Sequence, residues 1–190
     1  MPRHFFELEF DVDVPGRWYL REPTDMEGQT VSDIWAFVSG RAVTEPGRLR
    51  VPLSRPGRPL DFDKTTVAGT PIVSGRVASV FRELAPNDVQ LFPVEVQGQA
   101  ELYYLLNAVH VIRCIDDAAC EEARLWTLAD GRPDKVGEYH VVSGLRIDSS
   151  KVGDEVVFRP WGYLLPLIVD GDLKDALEQA GIVGGRFDEV

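Results

Sequence analysis

An α+β protein, with a largely antiparallel, strongly bent sheet and two or three helices, is the fold this sequence predicts. Three observations predict it. The N-terminal stretch His4–Val14 (HFFELEFDVDV) alternates apolar and acidic residues with the period of a strand. The stretch from Thr70 to Asn107 reads as a capped helix followed by two successive strands. The C-terminal stretch repeats the same strand-to-helix pattern.

Taken in order, Phe6, Leu8, Phe10, Val12 and Val14 fall on one face of the first strand. Glu7, Glu9, Asp11 and Asp13 fall on the other, which predicts a wet, acidic face. Pro15-Gly16 turns the chain, and Trp18-Tyr19-Leu20 is a second short strand. Thr30–Val38 is ambiguous, its aromatic content favouring strand over a helix capped by Ser32. Residues 41–69, with Pro46, Pro52, Pro56 and Pro59, are the least regular, and Leu49–Leu53 suits an edge strand that tolerates proline.

The central unit opens with Pro71-Ile72-Val73. Ser74 is placed to accept from the orphan amides of a first helical turn. Val77, Val80, Phe81 and Leu84 make one apolar stripe, and Pro86 ends the helix because it has no amide to donate. Val89–Val96 and Leu102–Arg113 flank Gly98 as paired strands. Further strands are expected at Leu125–Leu128, Tyr139–Ile147, Val156–Arg159 and Tyr163–Val169, the last broken at Pro166. Ile168-Val169-Asp170-Gly171 then matches Ile72-Val73-Ser74-Gly75, with Leu173, Ala176, Leu177 and Ala180 as the second stripe and Gly181 as its C-terminal cap. Gly184-Gly185 after that helix reads as a turn. Residues 1–64 form a strand-rich, Pro/Gly-rich part packed on a main unit of residues 65–190.

The chain of 190 residues is 44% apolar and carries a net charge of −11. It has no run of about 18 apolar residues, so no membrane span is expected, and its N-terminus lacks a secretory pattern. A cytoplasmic location follows as the expectation, with Cys114 and Cys120 as idle thiols. Charge is uneven: residues 41–64 hold six basic and three acidic side chains, while the parts on either side are acidic. Arg41, Arg48, Arg50, Arg55 and Arg58 are expected to pair with internal carboxylates, since the summed field of the chain opposes nucleic acid.

The motifs of catalysis are missing. His4, His110 and His140 show no metal-binding spacing, and no metal or cofactor is expected. Cys114 and His110, four apart on a strand, would lie about 13 Å apart at ~3.3 Å per residue. No phosphate-binding glycine loop or GxSxG elbow occurs. An enzyme using Cys114 or His140 would require a thiol of depressed pKa.

The order of several short motifs resembles a known family. They are Pro71-Ile72-Val73-Ser74, Asp88-Val89-Gln90-Leu91-Phe92-Pro93-Val94, Tyr103-Tyr104-Leu105-Leu106-Asn107 and Phe158-Arg159. The ending, Ile168-Val169 through Leu173 and Ala180-Gly181 to Phe187, also fits, with Trp35-Ala36-Phe37 and Pro59-Leu60-Asp61-Phe62 less sharp upstream. The chain resembles the immunity-protein family of bacterial polymorphic toxin systems, of the myxobacterial kin-discrimination type, formerly a domain of unknown function. The resemblance covers residues 60–190 well and the rest loosely. It implies a non-catalytic protein, encoded beside a toxin, that occludes the toxin's active site. Some toxins of this class look like nucleases. A basic toxin suits an acidic inhibitor, and the acidic C-terminal set Asp170, Asp172, Asp175, Glu178, Asp188 and Glu189 is the expected contact surface. The other reading is a general protein-interaction or regulatory module with no toxin partner. Oligomeric state stays open.

Overall fold

In the computed structural model, which describes residues 3–190, fourteen strands and two α-helices follow in order. Met1 and Pro2, where the N-terminal reading begins, lie outside the described residues. The first strands are β1 (Phe5–Phe10), β2 (Tyr19–Leu20), β3 (Leu49–Val51), β4 (Leu53–Arg55), β5 (Phe62–Lys64) and β6 (Pro71–Ser74). Helix α1 (Gly75–Leu84) leads to β7 (Val89–Val96), β8 (Tyr103–Ala108), β9 (Val111–Ile112), β10 (Glu122–Leu125) and β11 (Tyr139–Ser143). The chain ends with β12 (Val157–Pro160), β13 (Ile168–Asp170), α2 (Gly171–Gln179) and β14 (Gly185–Glu189).

The fold is α+β, as the sequence predicts, but the one bent sheet resolves into two of five strands each. Their orders are β14-β1-β13-β12-β9 and β3-β7-β8-β6-β5. Pairing is antiparallel except for β3 with β7 and β9 with β12. Strands from residues 3–64 are built into both sheets: β1 lies between β13 and β14, β3 borders β7, and β5 borders β6. Two-stranded ribbons, β2–β4 and β10–β11, stand outside the sheets.

Alternation along the strands explains the layering. Successive residues such as Ile72 and Val73, or Leu105 and Leu106, enter different apolar clusters on opposite faces of one sheet. Between the sheets, Leu8, Val73, Leu106, Val157 and Val169 enclose Val77 and Phe81 of α1 and Leu173 and Leu177 of α2. Each such side chain contributes about 1.5–3 kcal/mol through burial. The outer face of the second sheet is closed by Trp18, Leu20 and Phe37 from the N-terminal part. The outer face of the first is closed by Cys114, Ile115 and Leu145 against Phe5, Phe158 and Ile168.

Both helix starts obey the capping rule. The Ser74 hydroxyl accepts from the Val77 amide at 3.4 Å and donates to Asp61 at 2.8 Å. The Asp170 carboxylate accepts from the Leu173 amide at 3.0 Å. Pro93 sits inside β7 without breaking it, because pairing with β3 starts only at Val94 and no ladder donor is needed there.

Several local expectations change. Leu102–Arg113 is not one strand: it divides into β8 and β9, which join different sheets. Thr30–Val38 holds a 3₁₀ turn over Ala36–Val38 rather than a strand, with the Asp33 carboxylate accepting from the Trp35 amide. The strand expected over Leu125–Leu128 lies earlier, as β10. Tyr163–Leu167 is irregular, leaving only Ile168–Asp170 as strand. Gly184-Gly185 is not merely a turn: it leads into β14, which pairs with β1 from Phe6 to Phe10. At Gly184, φ is +103° and a Cβ would collide with the Phe62 carbonyl, so only glycine lets the chain enter this edge. Among the described residues no helix is long and apolar enough to cross a membrane.

Candidate binding surfaces

The six predicted acidic contacts do not behave alike. Asp170 is buried, caps α2 and bonds the Arg3 guanidinium at 3.0 Å, so its charge is committed to the fold. Asp172, Asp175, Glu178, Asp188 and Glu189 are exposed. Most of these are already paired. Lys174 reaches Asp175 at 3.2 Å and Glu178 at 2.7 Å, Arg186 reaches Asp188 at 3.0 Å, and His4 reaches Glu189 at 2.9 Å. Asp172 has no ion pair among the described residues.

The acidic face expected along β1 is only partly wet. Glu7 is half-buried, and burial first, then the neighbouring Glu9, push its pKa above the ordinary carboxylate value. The first sheet is covered on both faces, so the Phe5–Glu7 side also meets protein.

No catalytic constellation assembles from the residues the sequence singled out. Cys114 is fully buried, and burial raises its pKa to about 12, opposite to the depression that a nucleophilic thiol requires. His110 faces Asp88 at 3.2 Å. Among the described residues no group of three His, Cys, Asp or Glu side chains is placed to hold a metal ion.

His140 sits elsewhere, in an unforeseen site. Its ring stacks on Trp126, with centroids 3.6 Å apart and an angle of 22°. Both line a cleft of about 600 Å³ between the β10–β11 hairpin, the 161–165 loop and the 39–41 loop. Gly40 brings the last loop in: with φ at +70°, it lies where any Cβ would meet the Val111 side chain. Trp161, Tyr139 and Tyr163 add aromatic lining. The Tyr139 hydroxyl donates to Asp117 at 2.5 Å, and burial chiefly raises its pKa.

The charge of this cleft departs from that of the chain. Arg41 and Lys135 line it, and Arg113 lies 3.4 Å over the Trp161 ring. None of the three has an ion pair among the described residues, whereas Arg48 and Arg50 both reach Glu95, at 2.6 and 3.6 Å. The expectation of internal pairing therefore holds for Arg48 and Arg50 and not for Arg41, Arg55 or Arg58, which have no ion pair among the described residues. Glu138 is the acid in the lining. Behind the 161–165 loop, Arg159 is buried and donates to the Leu164 and Leu165 carbonyls at 2.8 and 3.1 Å.

The cleft was out of reach of sequence reasoning because its walls come from residues more than a hundred positions apart. The signal the sequence offered was a pair of tryptophans, Trp126 and Trp161, that belong to neither helix stripe. No curated protein matches the chain. The family model described as "Immunity protein family (Imm11)" matches residues 2–190, essentially its whole length, and the chain belongs to that immunity protein family.

Proposed function

We propose that this protein binds and neutralises a cognate polymorphic toxin domain, of nuclease type, by covering its basic active site, and that it catalyses nothing itself. Family membership across the whole chain carries the reading. Two features support it. The chain is strongly acidic, and five of the acids at its C-terminal end are exposed. Such a face accelerates docking to a basic partner, because long-range attraction raises the encounter rate.

The test is co-expression with the toxin encoded by the adjacent reading frame, followed by association kinetics at two salt concentrations. A 1:1 complex that silences the toxin is expected. Reversing Asp172, Asp175 and Glu178 to lysine should slow association several-fold and flatten its salt dependence. Unchanged kinetics would remove the C-terminal face from the interface. Weak binding to many unrelated proteins, with no toxin complex, would favour a general interaction module instead.

A further inference from the structure

The aromatic cleft carries features that an internal structural role does not use. Among the described residues, four of the ten exposed large hydrophobic side chains lie on its hairpin or its rim: Leu125, Leu128, Val136 and Leu165. Leu128 is 77% and Leu165 62% exposed, so water meets them almost as in an unfolded chain. Apolar side chains exposed together on one element, rather than scattered singly, mark interaction sites. The hairpin is a two-stranded ribbon outside both five-stranded sheets, held by the Tyr139 amide, which donates to the Gly162 carbonyl at 3.0 Å, and by Tyr139 and Val142 packing beside Phe158 and Leu145. Trp, Tyr and Arg, the residues that dominate interface energetics, supply the lining.

We infer that this cleft is the pocket in which the toxin seats an acidic, apolar anchor: an aspartate or glutamate flanked by aliphatic or aromatic side chains. The inference rests on the immunity reading and extends it to a second contact of opposite polarity to the acidic C-terminal face. Charge complementarity selects the occupant. In a chain of net charge −11, Arg41 and Lys135 line one aromatic-walled hollow and Arg113 lies over its Trp161 ring, all three without a carboxylate partner among the described residues. A carboxylate entering there satisfies cations that the fold leaves unpaired, in surroundings where apolar walls strengthen the attraction. The stacked Trp126–His140 pair and Trp161 offer flat faces for the anchor's apolar part.

The experiment measures binding of the full chain to the toxin from the adjacent reading frame, using Arg41→Glu, Lys135→Glu and Leu165→Asp. Arg41 and Leu165 are exposed and Lys135 is half-exposed, and unchanged thermal melting confirms folding in each. Each variant is expected to raise Kd at least tenfold. Arg21→Glu, the same charge change outside the cleft, should stay within about twofold of wild type. A toxin in which one carboxylate is changed to lysine should regain affinity for Lys135→Glu. If wild type forms the complex and all three cleft variants bind as it does, the cleft is overturned and the immunity reading stands. If wild type forms no complex, both fall. A dimer of the chain alone that Leu165→Asp breaks would assign the cleft to a second copy and overturn the toxin anchor.

Discussion

The α2–β14 face and the hairpin cleft are opposites in charge, and they differ more in how that charge is held. On the acidic face nearly every carboxylate has a partner: Lys174 serves two, Arg186 one and His4 one. In the cleft, Arg41 and Lys135 have none among the described residues. Exposed ion pairs contribute little to stability, about 0–1 kcal/mol each, yet they blunt the local field. Net charge therefore points to the acidic face, while pairing points to the cleft. On the proposed function the two divide the work. The acidic face guides a basic partner at a distance, and the cleft supplies desolvated contacts that slow its release.

The largest structural effect is expected beneath the cleft. Arg159 is 1% exposed, and burial draws its pKa down to about 10, so a charged guanidinium is held in dry surroundings at neutral pH. Among the described residues, its Nε and one terminal nitrogen lack partners, and no carboxylate pairs with it. What it does provide is closure of the Leu164 and Leu165 carbonyls, which fixes the loop walling the cleft. Arg159→Ala should lower stability by about 3 kcal/mol in urea unfolding, through lost packing and orphaned carbonyls. Arg159→Met keeps the stem volume and removes the desolvated charge, so its loss should be smaller, about 1 kcal/mol. Amide exchange at Leu165 and Leu167 should quicken in both. An Arg159→Ala protein as stable as wild type would mean that the loop is held by other contacts.

The corresponding position under the acidic face is Asp170. Asp170→Ala removes the α2 cap and leaves Arg3 without its carboxylate, at a cost of about 1–2 kcal/mol. Asp172→Ala, in the first turn of the same helix but exposed to solvent, should stay within about 0.5 kcal/mol. Equal effects would place both carboxylates in the same role. This contrast also shows what was legible. Ser74 and Asp170 were readable as caps because capping is local: one side chain, three residues, one amide. The β7–β8 pair was readable for the same reason, since Gly98 joins two runs rich in β-branched and aromatic residues. That Asp170 is sealed beneath Arg3 was not readable, because the partner comes from the other end of the chain. Nor was β14, whose glycines are explained only by Phe62 and β1 lying against them. The cleft is the extreme case, since each of its walls looks like an ordinary loop until all are assembled.

Glu7 lies between the two regions and gives the smallest effect. It pairs across β1 and β14 with Asp188 of the acidic face, and its charge acts on Tyr163 of the cleft lining, whose pKa is raised by burial and then by Glu7. The raised pKa of Glu7 comes from burial first and from Glu9 second, with Lys64 opposing. For an acid, a folded pKa above the unfolded one means that the folded state binds the proton more tightly. The carboxylate form then costs stability. That cost is absent below the unfolded value of 4.5, grows as pH rises above it, and is complete once the folded pKa is passed. Glu7→Gln keeps the shape and removes the charge. It should stabilise the protein at pH 7 by less than about 1 kcal/mol, because solvent still screens a half-buried group. The gain should disappear when unfolding is repeated below pH 4.5. A loss at pH 7 would show that the Lys64 attraction outweighs burial at this position. The acidic row on β1 would then be a stabilising element of the fold rather than a cost carried for its surface.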